Sequence, residues 1–193
     1  MRDGLWKIFS GLLLLFTPAL LDNSWRLGYL ILDIVTDLGV IQLVPDGLAL
    51  LITLIGHTII LLGCKKLHPC SDYFRKAEYL TMGALLTSFL RFAFQGFLYE
   101  PLCILYLATV TVQIILVFSG LVQIGKHIGD ASVVRKANLT SGLFIGTLWV
   151  GDTLPYTPWR LYLAPFGILL AGFALVFSVL LTRRAVHTAE TFN

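Results

Sequence analysis

The sequence predicts an all-α fold, a polytopic bundle of transmembrane helices in which residues 1–193 form one domain. Two observations lead to this prediction. Apolar residues make up 57% of the chain and charged residues only 13%, whereas an ordinary soluble domain has roughly 25% charged residues. The apolar residues also fall in long runs, and a helix that crosses a bilayer needs about 20 of them. We therefore expect lipid to cover most of the apolar side chains.

Six segments are predicted to cross the membrane, taken in chain order. They are Leu5–Leu21, Gly47–Cys64, Ala77–Leu98, Pro101–Ile124, Leu139–Gly151 and Trp159–Thr182. The first resembles the core of a signal peptide, but no small-x-small cleavage site follows it, and we interpret it as a retained helix. A further apolar stretch, Leu27–Val44, carries Asp33 and Asp37. We expect this stretch on the outer side of the membrane.

The basic residues predict the orientation of the bundle, because Lys and Arg in short loops remain cytoplasmic. With six spans, four clusters of basic residues lie on the cytoplasmic side. They are Arg2, Lys7, Lys65, Lys66, Arg75, Lys76, Lys126, Arg135, Lys136, Arg183 and Arg184. Both termini are then cytoplasmic. A seven-span alternative, in which Leu27–Val44 also crosses and the N-terminus lies outside, fits the basic residues slightly less well and remains open.

Small residues at a spacing of four predict where two helices approach each other. Gly142 and Gly146 form one such pair, and Gly167 and Ala171 form another. Small side chains let helix backbones come close together in lipid. We therefore expect the fifth and sixth spans to pack tightly.

Three short motifs between residues 41 and 77 carry a family resemblance. They are Leu43-Val44-Pro45-Asp46-Gly47, Gly63-Cys64-Lys65-Lys66-Leu67 and Phe74-Arg75-Lys76-Ala77. In this region the chain resembles a group of multi-pass membrane proteins of Gram-positive bacteria, in which a Leu-Pro-Asp turn opens a span and a basic segment follows it. The resemblance implies a helical fold in a bacterial plasma membrane, and it implies no activity.

Ionisable side chains within apolar segments are the first candidates for function, because burying a charge in a membrane is costly. Asp33 and Asp37 are four residues apart and share one helix face. Arg91 lies within the third predicted span and needs a partner, for which we expect Asp33, Asp37 or Glu100. Such a pair could be purely architectural. Alternatively, Arg91 is the counter-ion of a substrate carboxylate or a lipid phosphate.

Three uncharged polar residues extend the candidate site. Gln95 follows Arg91 by one turn, and His57 and Gln113 lie in the middle of the second and fourth predicted spans. Hydrogen-bonded packing between helices is the alternative interpretation for His57 and Gln113. The candidate ligand-binding residues are therefore Asp33, Asp37, Arg91, Gln95, His57 and Gln113. No metal or cofactor is predicted, because the spacing of the cysteines and histidines does not match that of zinc sites.

The predicted function is that of a small solute-binding or transport-associated membrane subunit with an outer-facing polar pocket. Acidic residues outnumber arginines on the outer side, which favours a cationic or zwitterionic solute. The alternatives are an accessory or scaffold protein that binds another membrane protein and, last, a lipid-modifying enzyme. Phosphate-loop and nucleophile-elbow motifs are missing from the sequence. No basic run interleaved with aromatic residues indicates nucleic-acid binding.

Overall fold

The fold is known from a computed structural model that describes residues 1–32, 46–94, 98–152, 166, 169–174, 176–181 and 184. These residues form helices and short connections with no β-strand among them, which confirms the prediction of an all-α fold. The helices are α1 (Arg2–Leu32), α2 (Asp46–Leu67), α3 (Asp72–Ala93), α4 (Tyr99–Ile128) and α5 (Ala131–Asp152). A 3-10 helix covers His68–Cys70, and further helical residues lie within Leu169–Leu181.

Successive helices pack side by side from α1 to α5, and α1 also touches α5. The connections after α2 and α4 are short, and Arg91 near the end of α3 contacts Tyr106 near the start of α4. Therefore α2, α3, α4 and α5 alternate in direction. One end of the bundle, where α3 and α5 begin and α2 and α4 end, is called here the basic end. Ten described basic residues lie there: Arg2, Lys7, Lys65, Lys66, Arg75, Lys76, Lys126, Arg135, Lys136 and Arg184. Asp46, Glu100 and Asp152 lie at the opposite end.

Four glycines bring α1 and α2 into close antiparallel contact. Gly4 and Gly11 are seven residues apart on α1, and Gly56 and Gly63 have the same spacing on α2. A Cβ atom on Gly11 would lie 2.6 Å from the carbonyl oxygen of Gly56, and one on Gly63 would lie 2.8 Å from that of Gly4. These distances are too short for a real side chain, so the helices can approach this closely only because these residues are glycine.

An aromatic cluster joins α1 to α4 and α5. Phe118 of α4 has its ring centroid 6.3 Å from Phe9 and 5.9 Å from Phe144. Phe16 packs on Phe144 at 4.9 Å. All four side chains are buried, so the cluster forms the core on the side of the bundle where α1 lies.

Two helix boundaries differ from those that the sequence predicts. The first helix, α1, extends beyond the predicted span Leu5–Leu21 and continues to Leu32. Polar residues after Leu21 end the apolar run but do not break a helix. The third helix ends at Ala93 instead of Leu98. Phe94, with φ −107° and ψ 78°, has already left the helical conformation.

The predicted contact between the fifth and sixth spans is only partly seen. A Cβ atom on Gly146 would lie 3.5 Å from Leu170, which is ordinary contact, and Gly142 has no neighbour within 4 Å of such an atom. Ala171 is buried, and Gly167 lies outside the described residues. The close glycine packing therefore occurs between α1 and α2, where the sequence did not predict it.

Two helical stretches, Gly47–Cys70 and Tyr99–Ile128, are long and apolar enough to cross a membrane by their length and composition. Only 33% and 39% of their most apolar stretches are buried within the chain. The other residues of these stretches are partly or fully exposed.

Asp130 caps the beginning of α5 at the basic end of the bundle. Its Oδ1 accepts hydrogen bonds from the backbone N–H groups of Ser132, at 2.9 Å, and Val133, at 3.2 Å. Its Oδ2 accepts one from Arg184 at 3.1 Å. Burial alone would raise the pKa of Asp130, but the Arg184 and backbone hydrogen bonds outweigh this effect and lower the pKa.

We expect Asp130→Ala to lower the free energy of unfolding by about 1 kcal/mol, because the cap is lost. Since the pKa is lower in the folded state, this stabilisation is present at neutral pH and is lost as the pH falls through the folded-state pKa. Thermal unfolding of the purified protein at neutral and acidic pH measures both effects. Asp130→Asn is the control, because Asn also caps helices but does not titrate. An equal loss with Asn and Ala would contradict the capping role.

Candidate binding site

Two of the described candidate residues, His57 and Arg91, meet at Tyr106 of α4, where α2, α3 and α4 face each other. His57 of α2 is fully buried, and its Nε2 lies 3.3 Å from the hydroxyl oxygen of Tyr106 of α4, within hydrogen-bond distance. The two rings meet edge to face, with centroids 5.9 Å apart. Either group can donate, depending on the tautomer of the imidazole. Tyr106 thus gives His57 a polar partner within an apolar bundle.

Arg91 of α3 contacts the same tyrosine. Its guanidinium carbon lies over the Tyr106 ring, 4.6 Å from the centroid, which is the geometry of a cation–π interaction. Arg91 is in the last turn of α3, close to the residue at which this helix ends. Side chains of a helix tilt toward its N-terminus. From the last turn of α3, that tilt directs Arg91 back into the bundle and onto Tyr106.

A small cavity adjoins Arg91 at the end of the bundle opposite the basic end, and we call it the Arg91 cavity. Its volume is about 90 Å³. It is lined by Ala49, Leu50, Thr53, Ser88, Arg91, Phe92 and Tyr99. Ser88 donates its hydroxyl hydrogen to the carbonyl oxygen of Ala84 at 2.7 Å, so its oxygen remains an acceptor. Arg91 is the charged group that lines this cavity.

Gln113 forms a second buried polar contact, two turns along α4 from Tyr106. Its Nε2 donates to the hydroxyl oxygen of Thr81 at 2.9 Å. Thr81 in turn donates to the carbonyl oxygen of Ala77 at 2.7 Å, so the threonine oxygen can only accept. This fixes the orientation of the Gln113 amide. Within the described part of the chain, Gln113 Oε1 and His57 Nδ1 have no hydrogen-bond partner.

Buried side chains between Gln113 and the basic end are mainly apolar. Ile60, Phe74, Phe118 and Leu121 are all at most 1% exposed. The aromatic ring of Phe74 packs closely on Gly120, since a Cβ atom on this glycine would lie 2.8 Å from the ring. The polar interior of the described bundle therefore extends from the Arg91 cavity to about the middle of the helices. Of the described candidate residues, Arg91 lines the Arg91 cavity, whereas His57 and Gln113 do not.

Three of the six predicted site residues, Arg91, His57 and Gln113, are described, and Tyr106 connects the first two. Asp33, Asp37 and Gln95 lie outside the described residues, so the predicted pairing of Arg91 with Asp33 or Asp37 stays a prediction. Tyr106 was missed by sequence analysis, because one tyrosine in an apolar run is typical of ordinary packing. Its spacing of seven residues from Gln113, on one face of a helix, is the signal that could have identified it.

Comparison of the chain with protein-family models, with curated proteins and with solved structures gave no match.

Proposed function

We propose that this chain is a multi-pass membrane protein that binds a small molecule carrying an anionic group, as a solute-binding or transport-associated subunit. The observation on which this rests is Arg91, held over Tyr106 in the wall of a cavity. A positive charge there favours a carboxylate or phosphate. Of the two solute classes predicted from the acidic residues, a zwitterion therefore fits better than a simple cation.

Exposed apolar side chains support the membrane part of the proposal. Leu51 of α2 is 54% exposed, Leu86 of α3 is 60% exposed and Ile104 of α4 is 69% exposed. A protein in water rarely leaves large apolar patches uncovered. Lipid around α2, α3 and α4 accounts for all three exposures at once. The resemblance to multi-pass proteins of Gram-positive bacteria adds the cytoplasmic membrane of a bacterium as the proposed location.

The positions of the charges support an orientation. Ten described basic residues lie at the basic end, and in membrane proteins such residues stay in the cytoplasm. In this proposal the N-terminus lies in the cytoplasm with the basic end, and the Arg91 cavity lies on the outer side. The proposal keeps the six-span arrangement, in which the C-terminus is also cytoplasmic.

Cysteine labelling of intact cells tests this orientation. Cys70 is exposed at the basic end, and Leu98 is exposed at the opposite end. We expect a membrane-impermeant maleimide to label a Leu98→Cys variant that lacks the natural cysteines. We expect no labelling of a protein that keeps Cys70 alone until the cells are permeabilised. Labelling of Cys70 in intact cells would show that the orientation is reversed.

Thermal unfolding with matched solutes tests the binding site. Glycine betaine and choline share a quaternary ammonium group, but only betaine has a carboxylate. We expect millimolar betaine to raise the Tm of the protein in a neutral detergent and choline to leave it unchanged. In Arg91→Gln the betaine effect should disappear, because the carboxylate loses its charged partner.

The control for Arg91→Gln is Arg75→Gln, since Arg75 is an exposed arginine at the basic end and its loss should not affect the betaine response. A Tm shift of the same size with choline would contradict the proposal. So would a betaine shift that persists in Arg91→Gln.

A further inference from the structure

The size of the Arg91 cavity limits what it can enclose. Pockets that surround a whole drug-sized ligand have volumes of roughly 300–1,000 Å³, and this cavity has about 90 Å³. It can hold a carboxylate or phosphate group with a few waters, but not a larger molecule. The rest of any larger ligand must therefore lie outside the cavity.

Apolar side chains form part of the cavity wall and lie beside it. Ala49, Leu50 and Phe92 form part of its wall, and Phe92 is 40% exposed. On α2, Leu48 and Leu51 flank the lining residues and are 48% and 54% exposed. A ligand whose anionic group reaches Arg91 would therefore have its remaining atoms against apolar side chains.

The membrane orientation of the proposed function places the cavity near the boundary between lipid head groups and hydrocarbon. The 22 residues of α2 make a helix of about 33 Å, close to the roughly 30 Å of a bilayer's hydrocarbon core. If α2 crosses the bilayer, as in the proposed function, its two ends lie near the two boundaries. Ala49 and Leu50 are in the first two turns of α2, and Arg91 is in the last turn of α3.

The guanidinium of Arg91 favours a phosphate or carboxylate over a spherical anion. Its guanidinium lies over the ring of Tyr106, whose own hydroxyl is within hydrogen-bond distance of His57. Each of the three residues comes from a different helix. A guanidinium presents its N–H groups as a planar fork, which matches two oxygens of one anionic group.

The small volume of the cavity, the apolar side chains beside it and its place near the end of α2 point to one class of ligand. We propose that the ligand of the Arg91 cavity is an anionic amphiphile. Its phosphate or carboxylate binds Arg91 inside the cavity, and its hydrocarbon tail lies along the exposed apolar side chains of α2 and α3. This inference rests on the proposed function, since it names the ligand class of the same site. Tyr106 is a positioning residue that keeps the guanidinium directed toward the cavity.

Thermal unfolding with three related probes tests the ligand class, using the full chain in a neutral detergent. The probes are glycerol phosphate, dioctanoyl phosphatidic acid and dioctanoylglycerol. The first has the head group without tails, the second has both, and the third has tails without phosphate. We compare the probe concentrations that give half of the maximal rise in Tm. For phosphatidic acid we expect this concentration to be lower than for glycerol phosphate by a factor of about ten or more, because its tails also bury apolar surface. Dioctanoylglycerol should have no Arg91-dependent effect.

Two sets of variants separate the possible outcomes. Arg91→Gln should remove the phosphatidic acid response, and Arg75→Gln should keep it. Glycerol phosphate and phosphatidic acid could raise the Tm at the same concentration, with both effects lost in Arg91→Gln. That result would overturn the amphiphile inference but would still agree with the proposed function. If no probe gave a Tm shift that is lost in Arg91→Gln, both the amphiphile inference and the proposed function would be overturned. A response to phosphatidic acid alone supports the inference and restricts the ligand to amphiphiles.

The positioning role of Tyr106 has its own pair of variants. Tyr106→Phe keeps the ring under Arg91 and loses the hydroxyl near His57, whereas Tyr106→Leu loses the ring. We expect phosphatidic acid to bind Tyr106→Phe nearly as tightly as the natural protein and Tyr106→Leu much more weakly. Equal binding by both variants, measured where each is folded, would show that the ring does not position Arg91.

Discussion

Gly11→Val is expected to lower the free energy of unfolding by about 1–3 kcal/mol, the usual cost of forcing extra methyl groups into a packed interface. A Cβ atom at this position would lie 2.6 Å from the carbonyl oxygen of Gly56 and 3.0 Å from the backbone nitrogen of Ile60. Backbone atoms cannot move aside as a side chain can. The substitution must therefore push α1 away from α2 along the whole contact. Titration of the purified protein with a denaturing detergent measures the loss.

Gly142→Val is the matched control for Gly11→Val. Gly142 is also a helix glycine, but nothing lies within 4 Å of a Cβ atom placed on it. Because valine is a somewhat better helix former than glycine, we expect this control to be as stable as the natural protein or slightly more stable. If the two variants lost the same stability, the close contact of α1 with α2 would not be the cause.

Phe118→Ala is expected to cost about 3–5 kcal/mol, as is typical of a large aromatic side chain removed from a packed core. Phe118 is 1% exposed, and its ring packs against those of Phe9 and Phe144. Its removal leaves a cavity where α1, α4 and α5 meet. The same detergent titration measures the effect, and cross-linking of α1 to α4 would report whether α1 separates first.

Phe89→Ala is the control for Phe118→Ala, since it removes the same ring from a position that is 56% exposed. Substitutions away from packed interfaces usually change stability by no more than about 0.5 kcal/mol. We therefore expect Phe89→Ala to unfold like the natural protein. A large loss from Phe89→Ala and none from Phe118→Ala would mean that the helices pack through different faces.

The helical class and most of the helix positions follow from the sequence, because they depend on local properties. Long apolar runs, the turn at Pro45-Asp46 and the clusters of lysine and arginine can all be read without knowing what lies beside them. The ends of the helices were predicted less accurately than their positions. Hydropathy marks where the polar environment begins, and the backbone can remain helical beyond that point or leave the helix before it. The continuation of α1 to Leu32 and the end of α3 at Ala93 both show this difference.

The candidate site could be predicted only in part. Arg91, His57 and Gln113 stood out because each is a polar group in an apolar helix. Their partners, Tyr106 and Thr81, belong to other helices, and a sequence does not state which faces of two helices meet. The same reason explains why the glycine contact between α1 and α2 was not predicted. Gly142 and Gly146 had the familiar spacing of four, whereas Gly11 and Gly56 are close only because α1 and α2 pack in antiparallel register.

The sequence by itself determined that this chain is helical, that two of its helices are long and apolar enough to cross a membrane, and which end of the bundle is basic. The tertiary structure decided that Arg91 lies over Tyr106 in the wall of a cavity of about 90 Å³, and that the buried residues beyond Gln113 are mainly apolar. The physical reason is that helix formation and hydropathy are properties of neighbouring residues. A binding site depends on distances between residues far apart in the chain.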